Sequence, residues 1–196
     1  GAIYQTEFSG ILTGNLGKSY TYAKPVTEVM KPRFKISLFF GLIGYFLTYI
    51  VCIPLGIRKA LKHGSGFDFA SSVLIFIAYS IPGWALGGVL LVLFGGGSFW
   101  DMFPLGGFHS PTEIWDGLSL WGKFWDQVHH MILPIIAWSI NSFATMTILM
   151  KNSLLENMSQ DYIRTAFAKG IAEKRVVWLH AFRNSIIPIA AQIGYV

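Results

Sequence analysis

Residues 36–57 read ISLFFGLIGYFLTYIVCIPLGI and contain no Asp, Glu, Lys or Arg. Twenty-two helical residues cover about 33 Å, enough to cross the hydrocarbon core of a bilayer. Pro54 and Gly56 are read as the end of this span, with Arg58, Lys59, Lys62 and His63 in a short loop that Gly64 and Gly66 complete. This run decides the fold class. A backbone crossing lipid must satisfy its own hydrogen bonds, so the chain is expected to be an all-α membrane protein.

Two further runs repeat the pattern. Residues 69–94, FASSVLIFIAYSIPGWALGGVLLVLF, form a second uncharged span. Pro82 and Gly83 lie in its middle and predict a kink, while Gly83 and Gly87 make a GxxxG pair that lets another backbone approach. Residues 131–150, MILPIIAWSINSFATMTILM, are the core of a third span over 129–150, closed by Lys151. Trp138, Asn141, Ser142 and Thr145 fall at i, i+3, i+4 and i+7, so one stripe of this helix is hydrophilic. In lipid that stripe faces either neighbouring helices or a water-filled path.

Composition agrees with these spans. The 196 residues are 53% hydrophobic and 13% charged, against about 25% charged in an ordinary soluble domain. The net charge of +5 comes from fifteen Lys and Arg spread along the chain. That spread suits membrane flanks, and no dense patch suggests nucleic acid. Cys52 is the only cysteine, which excludes an internal disulfide framework. No signal peptide opens the sequence. Three spans place residues 1–35 and 95–128 on one side, with six Lys and Arg, and 58–68 and 151–185 on the other, with nine. The richer side is assigned to the cytoplasm.

The connecting segments carry fewer signals. Residues 1–35 read as loop with short helical pieces. Gly17-Lys18-Ser19 imitates the end of a phosphate-binding loop, but the glycine required five positions earlier is Leu12. The 95–128 loop holds Trp100, Trp115, Trp121 and Trp125, suited to a membrane interface or to a partner surface. His109, His129 and His130 lack the spacing of a metal site, so no metal is expected. Ser153 to Glu156 has the form of a capping box opening a short surface helix.

Residues 161–188, DYIRTAFAKGIAEKRVVWLHAFRNSIIP, break the apolar pattern. Ile163, Ala166, Phe167 and Gly170 make one helical face, and Gly170 ends the turn. Val176, Leu179, Phe182 and Ile186 mark a second apolar stripe, leading into new apolar sequence at 186–196. Asp161, Arg164 and Lys169 lie off the first face. The segment reads either as a cytoplasmic docking loop or as an amphipathic piece lying on the membrane.

Arg164-Thr165-Ala166, then Gly170, with Ile186 and Pro188 downstream, resembles the EAA loop of ABC importer permeases. The wider form, QDYIRTAFAKGI and then HAFRNSIIP, is similar to the B-type permeases of the dipeptide and oligopeptide branch. Ile53-Pro54-Leu55-Gly56, Ser80-Ile81-Pro82 and Asn152-Ser153-Leu154-Leu155-Glu156 fit that branch. IPLGIRKALKHGSGFD (53–68) and GGGSFWDMFPLGG (95–107) look like its Yej group, associated with microcin C and peptide uptake. The name-giving Glu-Ala-Ala is replaced here by Arg-Thr-Ala.

The resemblance implies a MetI-like type I importer transmembrane domain over 1–196. Residues 1–35 would be periplasmic, 151–185 would form the cytoplasmic coupling loop and 186–196 would begin another helix. A six-span subunit would add one span before Gly1 and about two after Val196. The implied partners are a second homologous permease, two ATP-binding cassette ATPases, a periplasmic substrate-binding protein and a peptide, in the bacterial inner membrane. ATP would be held by the ATPases, with no cofactor and no catalysis on this chain. Asp161, Tyr162, Arg164, Thr165, Ala166, Lys169 and Gly170 would contact the ATPase. The apolar wedge entering its cleft would be Ala166 and Gly170 beside Ile163 and Phe167. Trp138, Asn141, Ser142 and Thr145 would line the path, and Pro82 with Gly83 would bend during the cycle. The competing class, an ion-coupled transporter or channel working alone, calls for an ionisable residue inside a span, and none lies in the three expected spans.

Overall fold

The computed structural model describes residues 10, 13–97 and 99–192, except the side chain of Lys35. Residues 1–9 of the expected periplasmic segment and 193–196 of the expected further helix lie outside the described residues. Two compact units divide the chain at Leu42 and Ile43, where the sequence suggests one continuous domain.

In the first unit, residues 17–26 turn back on themselves. Val26 N–H donates to the Gly17 carbonyl at 3.0 Å, and Ser19 N–H to Lys24 at 2.9 Å. Pro25 then precedes helix α1, Val26–Leu61. The expected loop over 1–35 is therefore helical from Val26 on. Glu28 lies in the first turn, where an acid favours the helix dipole.

The second unit begins inside α1. The helix does not stop at Pro54 and Gly56 but runs to Leu61. Gly56 has a packing reason instead. A Cβ there would lie 2.6 Å from Met150 Cβ and 2.9 Å from the Thr147 carbonyl, so the missing side chain lets α1 cross closely over a later helix.

The expected second span is not one kinked helix. It is α2, Gly66–Ser80, and α3, Gly83–Phe94, bent by 94°. Pro82 has no N–H to continue the ladder and forces the residue before it out of the helical region. Ile81 is accordingly extended, with φ −95° and ψ 119°. Among the described residues, two helices are long and apolar enough to cross a membrane, and the bent pair makes a third only if taken as one span.

The third span is also longer than expected. After the short α4, Thr112–Trp115, helix α5 runs Leu120–Met158. Its 39 residues extend about 58 Å at 1.5 Å each. Ser119 caps its start by accepting from Gly122 N–H at 3.2 Å. Lys151 does not close the helix, and Ser153 opens no capping box: it is buried in α5, with its hydroxyl donating to the Ser185 carbonyl at 3.0 Å.

Helices α6, Asp161–Ala168, and α7, Glu173–Arg175, follow. A π-helical stretch, Val176–Ala181, leads into α8, Phe182–Ser185, and α9, Ile187–Ala191. The core gathers Cys52, Ile57 and Ala60 of α1, Met146, Met150 and Leu154 of α5, Ile163 and Ala166 of α6, and Val176, Ala181 and Ile189. It lies where the 161–189 segment folds back on α5.

Charged residues beside that core are not free flanks. Lys59 is 0% exposed and Asp68 5%. Lys59 Nζ lies 3.0 Å from Asp68 Oδ1, and Lys151 Nζ 2.7 Å from Asp68 Oδ2. The three apolar stretches hold no Asp, Glu, Lys or Arg, but the helices that carry them run past their ends and take in Lys59 in α1, Asp68 in α2 and Lys151 in α5.

Candidate coupling and translocation surfaces

Helix α6 carries most of the residues expected to contact an ATPase. Asp161 stands in its first turn, and Thr165 Oγ donates back to the Asp161 carbonyl at 2.9 Å. Arg164 meets Asp161 only at 3.5 Å, with both side chains largely in solvent, so the pair adds little to stability. The helix ends in a Schellman arrangement. Gly170 N–H reaches the Phe167 carbonyl at 2.9 Å and Ile171 N–H the Ala166 carbonyl at 3.3 Å. Gly170 takes φ +75°, and nothing lies within 4 Å of where its Cβ would be.

The faces divide differently from the sequence reading. Ile163 and Ala166 are buried in the chain's own core. Asp161, Tyr162, Arg164, Thr165, Phe167, Lys169 and Gly170 are exposed. Ala166, expected among the contact residues, faces this core and not the exposed side of α6. Tyr162 is half fixed: its hydroxyl donates to Asn157 Oδ1 at 2.8 Å and accepts from Asn184 Nδ2 at 3.1 Å. These two bonds join the end of α5 to α8 across the exposed face of α6.

The second expected stripe is broken by the π-helical stretch. Phe182 N–H bonds the Val177 carbonyl, five residues back. The wider turn shifts the buried face, so Val176, Val177, Ala181, Ser185 and Ile189 point inward while Leu179 is exposed. Trp178 lies at the exposed surface and meets Phe182 edge-on at 5.2 Å.

The hydrophilic stripe of α5 divides between two grooves. Trp138, Asn141 and Ser142 line one of about 650 Å³ with Gly83, Trp84, Gly87, Pro134 and Ala137. Thr145 lines the other, about 350 Å³, with Phe76, Tyr79, Ala144, Ile148, Leu149 and Asn152. The α2–α3 break lies between them. A Cβ on Gly83 would be 2.7 Å from the Ala137 carbonyl, and one on Gly87 3.3 Å from Ala137 Cβ. The GxxxG pair therefore lets α3 rest on α5 and closes one wall of the larger groove. Trp84 is 84% exposed and Trp138 76%. Neither groove is lined by a charged residue. Such walls present aromatic faces, one carboxamide and hydroxyls, a surface that can hold an apolar or amide-bearing molecule without fixing a charge.

At the far end, the 95–119 loop is clasped to α5. Asp126 accepts from Ser110 N–H at 2.8 Å and from its hydroxyl. His129 Nε2 donates to the Met102 carbonyl at 2.8 Å, and His109 stacks on Trp115 at 4.4 Å. No group of three metal-ligating side chains occurs among the described residues.

Sequence reasoning missed the Lys59–Asp68–Lys151 cluster and the Ser153–Ser185 contact. One signal for the first was available: Asp68 is an acid opening an otherwise apolar helix just after its Ser65 cap.

The family model described as "Binding-protein-dependent transport system inner membrane component" matches residues 52–196. The chain is 40% identical over 177 residues to the "Inner membrane ABC transporter permease protein YejB" of Escherichia coli O157:H7, covering 90% of this chain and 48% of that protein. It is 39% identical to the "Peptidoglycan transport system permease protein YejB" of Agrobacterium fabrum, with the same coverage. It is 34% identical over 199 residues to the "Dipeptide transport system permease protein DppB" of Escherichia coli strain K12, covering 94% of this chain and 58% of that protein. The chain spans about half the length of the curated relatives it matches.

Proposed function

Because this chain belongs to the family of binding-protein-dependent transport system inner membrane components, we propose that it is the permease subunit of an ATP-driven importer of peptides or peptide-like compounds. It forms half of the translocation path; a second, homologous permease forms the rest. Two ATP-binding cassette chains hydrolyse ATP on the cytoplasmic side, and a periplasmic binding protein delivers the cargo. The chain itself performs no chemistry. Peptide cargo is favoured by the names of the relatives, which include dipeptide and oligopeptide permeases. A microcin C-type compound is a candidate within the same chemical class.

The observation that carries this reading is the construction of α6. Its inner face is fixed to the core by Ile163 and Ala166, while its outer face is charged and exposed beside the Gly170 turn. A lever needs both: a rigid mount and a surface for an external chain. Asp161, Arg164 and Lys169 set register at the rim of an ATPase cleft. Thr165, Phe167 and Gly170 enter it, and Tyr162 stiffens the mount. ATP-driven closure of the ATPases then moves the segment and, through α5, the groove walls.

The test uses the full-length subunit in membranes with its co-expressed partners. Cysteine at Lys169 is expected to cross-link to an ATPase chain, and proteoliposomes are expected to take up a radiolabelled alanine tripeptide only with ATP. Uptake by the subunit without any ATPase would overturn the proposal in favour of a transporter driven by an ion gradient.

A further inference from the structure

Among the described residues, Asp68 is the only buried residue of α2. The rest of this 15-residue helix is partly or fully exposed, including the apolar Phe69, Leu74, Phe76 and Ile77. The one fully buried side chain of this apolar helix is therefore a carboxylate.

The carboxylate is densely held. Oδ1 takes Lys59 at 3.0 Å and Lys151 at 2.8 Å. Oδ2 takes Lys151 at 2.7 Å, Gly64 N–H at 3.2 Å and the His63 ring at 3.2 Å. Lys59 also donates to the Asp68 carbonyl at 2.9 Å, Ser71 Oγ at 2.7 Å and Ser72 Oγ at 2.8 Å. The two ammonium groups have different jobs. Lys59 closes the α1–α2 turn on itself. Lys151 is 83 positions from Asp68 and ties α2 to α5.

Lys151 stands two residues before Ser153, which bonds Ser185 of α8. The tie therefore meets α5 where the 161–185 segment is fastened to it. At its other end α2 reaches the 94° break, after which α3 rests on Ala137 through Gly83. Between these two attachments α2 and α5 together line the 350 Å³ groove, with Phe76 and Tyr79 on one wall and Ala144, Ile148 and Leu149 on the other.

We propose that Lys151 is a positioning residue of the transport cycle: its ionic tie to Asp68 carries displacement of the coupling segment into α2 and so into the break at Pro82. The inference rests on the proposed function, since it names how that lever reaches the groove. Lys151 suits the test because removing it leaves Lys59 and Asp68 as a neutral, fully bonded pair within one turn.

The experiment compares Lys151→Met and Lys151→Arg in the full-length subunit, assembled as the complete transporter in proteoliposomes, with ATP hydrolysis and alanine tripeptide uptake measured together. Lys151→Met is expected to keep hydrolysis within about twofold of wild type and to lose uptake at least tenfold. Lys151→Arg is expected to restore at least half of the uptake, because a guanidinium renews the tie. Wild-type uptake in Lys151→Met, or a parallel fall in uptake and hydrolysis that tracks loss of assembled complex, would overturn the role. An equal loss in Lys151→Arg would also overturn it. A wild-type transporter without ATP-driven uptake would overturn the proposed function itself, and the tie's role with it.

Discussion

Ser153 and Ser185 meet across the two segments: Ser153 Oγ donates to the Ser185 carbonyl at 3.0 Å, while the single proton of Ser185 Oγ lies between the Ala181 carbonyl at 2.7 Å and the Ser153 carbonyl at 3.2 Å. Both residues are buried. The contact fastens the return of the 161–185 segment to α5. The two bonds are not equivalent. The Ser153 carbonyl also accepts from Asn157 Nδ2 at 2.9 Å, so it keeps a partner when Ser185 is changed. Ser153→Ala is expected to lower stability by about 1 kcal/mol and Ser185→Ala by less. The double variant should cost less than the sum, because the residues touch. Thermal denaturation of the detergent-solubilised full-length subunit measures all three; strict additivity would contradict the coupling.

Gly56 packs without a side chain against α5. Gly56→Ala puts a methyl group 2.6 Å from Met150 Cβ and 2.9 Å from a backbone oxygen, and is expected to cost about 1–3 kcal/mol. Adding Met150→Ala should not restore stability, since Met150 Cβ and the Thr147 carbonyl remain. Melting temperatures of the single and double variants decide this.

Gly170 differs in kind. A side chain there meets open space but a left-handed backbone, a cost of about 1–2 kcal/mol for an ordinary residue. Gly170→Leu is therefore expected to insert and assemble, yet to uncouple ATP hydrolysis from peptide uptake. Gly170→Asn, which tolerates that backbone better, should retain more uptake. Normal uptake by the leucine variant would remove the lever from the mechanism.

Much of this architecture was legible from apolar runs, and the errors share a cause. Hydropathy marks where a helix meets lipid, not where its hydrogen-bond ladder stops. So α1 and α5 run beyond their apolar stretches, through Pro54 and Lys151. A lysine after an apolar run has the same local signature whether it is solvated or, like Lys59 and Lys151, paired with Asp68. Helix α6 was legible in period but not in which way its apolar face turns. Ile163 and Ala166 were correctly placed on one face, yet nothing local tells whether that face meets a partner or the chain's own core. The π-helical stretch was hidden because a 3.6-residue stripe assumes the turn it is meant to detect. The break at Ile81-Pro82 was signalled, but a proline predicts interruption without fixing an angle.

Asn141 is the single carboxamide lining the larger groove. Asn141→Ala is expected to raise the KM for tripeptide uptake several-fold while leaving assembly and basal ATP hydrolysis unchanged. Concentration-dependent uptake in proteoliposomes tests it, and an unchanged KM would take Asn141 off the path.

Ser139 is 1% exposed, and its hydroxyl has no hydrogen-bond partner among the described residues. An orphaned buried hydroxyl costs more than the methyl group that replaces it. Ser139→Ala is expected to be neutral or to stabilise by up to about 1 kcal/mol, raising the melting temperature with uptake unchanged.

Pro134 lies within α5 and cannot donate to the carbonyl four residues earlier. From there to Met158 the helix is an unbroken rod of about 36 Å at 1.5 Å per residue. A tilt of about 5° at that missing bond swings the far end by roughly 3 Å, while the groove walls beside the pivot hardly shift. The geometry is that of a long-handled wrench. By that geometry, wide travel at the end where α6 is mounted would become a small adjustment around Trp138 and Asn141.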